Sequence, residues 1–162
     1  MKTSASKRTI GCIGKCTSGL SREELDQITD NINKTLTHPE GKKIFKKYLQ
    51  ARDLRDNLEC LELYETCCNY IFEGSRLQSN NGPHLEQLIR NATTVMEMAE
   101  DLDGVSRIDK AFLQGFDAAL NSNSRTELLG ALVDTRDICC DHLKSVHDSF
   151  KEYVSEPCPL SK

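Results

Sequence analysis

Apolar residues recur every three or four positions along almost the whole chain, and runs of strict alternation are nearly absent. That pattern predicts helices and no strands. Ser21 with Glu24 three residues on has the form of a capping box, and Leu25, Ile28 and Ile32 follow at helical spacing. His38, Pro39 and Gly41 interrupt, after which Ile44, Phe45, Tyr48 and Leu49 form the next apolar stripe. A polar turn at 53–56 precedes a helix expected to begin near Asn57 and to run to about Phe72. Residues 73–83 read as the clearest loop in the chain. Beyond it Leu85, Leu88, Ile89, Ala92, Val95 and Met98 share a face, Gly104 breaks the pattern, and Ile108, Phe112 and Phe116 resume it. The run Asn121 to Ser124 caps a further helix through Leu128, Leu129 and Leu132. A last segment turns Leu143, Val146, Phe150 and Tyr153 inward and ends at Pro157 and Pro159. The expectation is an all-α bundle of seven to nine short helices over 20–156, between a tail of residues 1–19 and one of 157–162.

The chain has 162 residues, 38% of them hydrophobic and 28% charged, which favours one globular domain with room for one continuous core. A net charge of −4, no tryptophan and few aromatics argue against nucleic acid as a partner. The charge is unevenly spread. Residues 1–16 carry Lys2, Lys7, Arg8 and Lys15 and no acid. No apolar run approaches a membrane span, and the basic start lacks the apolar core of a secretory signal. The eight cysteines are therefore expected to be thiols in a reducing cytoplasm, several of them acting as small hydrophobes.

Little in the sequence suggests catalysis by the chain itself. None of the four histidines stands in a nucleophile–base context, and the nine glycines are scattered singly rather than gathered into a phosphate loop. Cys139, Cys140, His142 and His147 form a cluster of metal-ligating types. They lack the paired spacing of a closed zinc site, and neighbouring residues on a helix point about 100° apart. They read as one core thiol, one boundary thiol and two solvated imidazoles. No cofactor and no metal is expected. Cys12 and Cys16 are four apart beside a basic run, which combines an acylatable thiol pair with positive charge. Those are the two weak signals that together give stable anchoring at a membrane surface, here the inner face of the plasma membrane. A tail with two free thiols is the plainer alternative.

The stretch from Leu20 to Glu65 resembles, without a gap, the opening half of the regulator of G-protein signalling (RGS) domain. In that family a helix is followed by His or Pro and then Gly, by Phe and Leu of the third helix, and by a short acidic loop ending in Glu–Asn at the fourth helix. Here those positions hold Gly41, Phe45, Leu49, Asp56 and Asn57. The run from Asp141 to Tyr153 is similar to the family's last helix, where Leu–Lys–Ser precedes aromatics.

The resemblance implies an RGS-like fold and an activity exerted on another protein. The family binds heterotrimeric G-protein α subunits (Gα) in the GTP-bound or transition state. It accelerates their GTP hydrolysis by holding the switch segments in place, without an arginine finger. Carried over residue by residue, the Gα contacts are Leu54, Asp56, Asn57, Val133, Asp137 and Asp141.

The chain departs from the family's pattern at several positions. An aromatic and a tryptophan of the fourth helix are Cys60 and Leu61 here. Ser106 and Arg107 stand where the family's loop before the sixth helix has an Asn that helps position the catalytic glutamine. Near the last helix the family's Asp–Ser followed by Arg becomes Asp137, Ile138 and Asp141. These departures leave a second reading open, an RGS-fold binding or scaffold module that does not accelerate hydrolysis.

Overall fold

The computed structural model describes residues 20–76, 82–102 and 104–155, and those residues are all-helical, with no strand among them. Seven helices follow one another: α1 (Arg22–Ile28), α2 (Ile32–Thr37), α3 (Pro39–Ala51), α4 (Arg55–Arg76), α5 (Gly82–Asp101), α6 (Lys110–Leu120) and α7 (Arg125–Ser155). They fall into two compact units. Among the described residues, one holds 20–58 together with 143–155, and the other lies within 59–142.

Local chemistry explains the short helices at the start. The Ser21 hydroxyl accepts from the Glu24 N–H at 3.1 Å, and the Glu24 carboxylate accepts from the Ser21 N–H at 2.8 Å, closing the expected capping box. These bonds to Ser21 hold the Glu24 carboxyl below its ordinary value. Ile32 was expected to continue the first helix. Instead Asn31 takes extended backbone angles, accepts from the Lys34 N–H at 2.9 Å and begins α2. Pro39 opens α3 at a position where its missing N–H costs nothing, and the His38 ring accepts from the Glu40 N–H at 3.1 Å.

The core of the first unit is aromatic. Phe45 and Tyr48 of α3 meet Phe150 of α7 with ring centroids 4.9 and 5.4 Å apart, and Tyr153 lies 5.3 Å from Tyr48. These edge-to-face and tilted arrangements are the favoured ones for aromatic pairs. At the edge, the Arg22 guanidinium donates to the Ser155 carbonyl at 2.7 Å and the Lys151 ammonium to the Asp30 carbonyl at 3.2 Å.

His147 does not have the solvated imidazole expected for it. It is 4% exposed, and its Nε2 lies 2.8 Å from the Thr35 hydroxyl. That hydroxyl also lies 2.8 Å from the Ile28 carbonyl and 3.2 Å from the Asn31 carbonyl, either of which can accept its one proton. A neutral ring protonated on Nε2 and donating to the Thr35 oxygen satisfies this arrangement. Burial lowers the His147 pKa from its ordinary 6.5. At higher pH the ring is neutral in both states. Below 6.5 the unfolded chain takes up a proton first, so stability falls as pH drops toward the folded value. Urea midpoints at pH 7.5 and 5.5 should differ more for the wild type than for His147→Gln. An equal difference in the two chains would mean that His147 does not titrate on unfolding.

In the second unit the chain fills its core mostly with aliphatic and thiol side chains. Cys60, Leu61, Leu63 and Cys67 of α4, Val95 of α5, Phe116 of α6, and Leu128, Leu132 and Cys139 of α7 are all buried. The Cys60 thiol donates to the Cys139 carbonyl at 3.5 Å. The adjoining Cys139 thiol, followed by burial, pushes the Cys60 thiol far above the usual range, and burial does the same to Cys67. Thiols held protonated in this way behave as packing groups rather than nucleophiles. The Arg125 guanidinium donates to the Gly74 carbonyl near the end of α4. Two segments expected at the end of the chain are one continuous helix of 31 residues. Thr135, Ile138 and Cys139 carry its buried stripe from Leu132 to Leu143, and His147 carries it on toward Phe150.

Candidate partner-binding site

The turn between α3 and α4 is built by hydrogen bonds that close one helix and open the next. The Asp53 N–H donates to Gln50 and the Leu54 N–H to Leu49, at 3.1 and 3.0 Å. Asp53 has a φ of 55°, so the two bonds form a Schellman ending with Asp where Gly is commoner. The Leu54 carbonyl then accepts from the Leu58 N–H at 3.0 Å, which starts α4 at Arg55 rather than near Asn57. Asp56 and Asn57 consequently lie inside the first helical turn.

Asp56 is exposed and Asn57 half-buried. Among the described residues, the side chain of neither makes a hydrogen bond or an ion pair. An acid in a first turn is favoured by the helix dipole by about 0.3–1 kcal/mol, which accounts for Asp56 locally. Asparagine is an indifferent helix former, and Asn57 caps nothing. With half-buried Leu54 beside them, the two polar groups form one short ridge of the first unit.

The other three expected contacts belong to the second unit. Val133, Asp137 and Asp141 are spaced four apart on α7 and so share a stripe of its surface. Val133 is half-buried and Asp137 exposed. Asp137 accepts from the neighbouring Arg136 guanidinium at 3.1 Å. Ile138 is buried and belongs to the core.

Asp141 is engaged from a distance in sequence. Arg107, in the loop before α6, donates to its carboxylate at 2.6 Å. The two side chains are 61% and 46% exposed. Such a pair contributes no more than about 1 kcal/mol to stability. Its consequence is electrostatic, because the acid at 141 is matched by a base at 107. Nothing in the sequence joins two residues 34 positions apart, so there they stand as separate departures.

No protein-family model, curated protein or solved structure matches the chain. Cys12 and Cys16 lie outside the described residues. Among those described, no helix is long and apolar enough to cross a membrane, and no three His, Cys, Asp or Glu residues are grouped to hold a metal ion.

Proposed function

We propose that the chain binds activated Gα subunits and accelerates their GTP hydrolysis in the manner of an RGS domain. The observation that carries this reading is the pair Asp56 and Asn57, two polar groups in one helical turn whose side chains have no partner among the described residues. A second observation supports it. The two stretches that resemble the family, Leu20–Glu65 and Asp141–Tyr153, contribute Phe45 and Tyr48 on one side and Phe150 and Tyr153 on the other to a single aromatic core. Acceleration would then come from positioning, with Asn57 donating to and accepting from the switch backbone while the chemistry stays within Gα. The basic tail with Cys12 and Cys16 is proposed as a reversible anchor at the membrane surface where Gα resides.

Asn57→Ala should weaken binding to Gα held in a transition-state-like complex by about 1–3 kcal/mol, the cost of losing hydrogen bonds in a desolvated interface. Calorimetric titration measures this. Unchanged affinity would remove the α3–α4 turn from the contact. The Arg107–Asp141 pair favours the second reading, a module that binds without accelerating. It occupies both the position of the family's Asn and that of its Arg, and a salt bridge is no substitute for an amide that orients a catalytic side chain.

A further inference from the structure

Between α6 and α7 runs a groove of about 500 Å³. Phe116 and Ala119 form its buried floor, and Gly115 and Gly130 are its exposed walls, one on each helix. A Cβ added at either glycine would meet nothing within 4 Å. The fold of the chain thus gives no reason for glycine at these two helix-interior positions, where alanine is the more favourable residue. Glycine there keeps the walls open to a closely approaching backbone.

The charge along the rim specifies what would approach. Glu127 and Asp134 line the groove seven residues apart, on the same edge of α7, and both are exposed. Among the described residues neither carboxylate has a hydrogen-bond or ion-pair partner. Seven residues further on, Asp141 continues this edge and is matched by Arg107. One acid of the line is thus answered by Arg107, and two have no partner among the described residues.

We infer that the groove is a docking site for an α-helix of a partner protein carrying Lys or Arg residues two turns apart, with Ala, Gly or Ser between them. The small residues allow close contact with Gly115 and Gly130, and the two cations reach Glu127 and Asp134. This surface is independent of the α3–α4 turn.

The test uses the full chain and a fluorescently labelled, alanine-rich helical peptide with two lysines seven positions apart, followed by anisotropy. Saturable binding is expected, weakened about tenfold or more by Glu127→Lys with Asp134→Lys. Gly130→Leu should weaken it as much by filling the groove. Because the site is open and leucine is the better helix former, the free variant should keep its helical content and melting temperature. Three results would overturn the inference: no saturable binding, binding unchanged by both variants, or equal binding of a peptide with glutamates in place of the lysines.

Discussion

Phe150→Ala is expected to destabilise the first unit by about 3–5 kcal/mol, the range for removing a buried phenylalanine ring. Phe150 is 0% exposed and touches the rings of Phe45, Tyr48 and Tyr153. Its deletion removes transfer free energy and leaves a cavity walled by aromatic rings, which close over empty space less readily than aliphatic chains do. Against a total stability of about 5–15 kcal/mol this is a large fraction, and it should lower the melting temperature by roughly 10 °C or more. Denaturant melts followed at the tyrosines read it directly, because Tyr48 and Tyr153 belong to the same core. A loss below about 1 kcal/mol would mean that α3 and the end of α7 are not packed as described.

Gly41→Val should cost about 3 kcal/mol, at the upper end for overpacking. Gly41 lies inside the first turns of α3, where replacing glycine ordinarily helps a helix. Here a Cβ would come within 2.8 Å of the Thr35 carbonyl oxygen. The obstacle is backbone, and α2 can yield only by giving up the Thr35 hydrogen bonds to Ile28 and His147. The sign is therefore diagnostic. A stabilised Gly41→Val would show that α2 and α3 do not approach this closely, and chemical denaturation at neutral pH decides the matter.

The sequence was most informative where structure is decided locally. The Ser21–Glu24 box and the cap before α7 depend on residues a few positions apart, and both form as the pattern predicts. Helix boundaries were less legible. Ile32 fits the period of α1 well enough to hide the break at Asn31, and Asn57 looked like a helix start because hydrogen bonds to backbone carbonyls, rather than a side-chain cap, begin α4. His147 looks solvated in the sequence because its partner Thr35 lies 112 positions away, on a helix that only the fold brings beside it. The Arg107–Asp141 pair and the open faces of Gly115 and Gly130 are illegible for the same reason, since each depends on which helices become neighbours. An isolated glycine in a helical pattern was the one available signal, and it does not say what approaches.

The polar ridge of α4 and the charge pair on α7 pull in different directions. In the proposed reading Asp56 and Asn57 would meet the Gα switch segments, while Arg107 and Asp141, paired with each other, stand where the resemblance expects an Asn and an Arg. The central claim is that positioning by the ridge is sufficient for acceleration. Single-turnover hydrolysis of GTP on a panel of Gα subunits, with this chain in excess and without it, tests that claim most directly. The account predicts acceleration of about tenfold or more on at least one of them, equivalent to about 1.4 kcal/mol from the barrier. Unchanged hydrolysis on every Gα would contradict it.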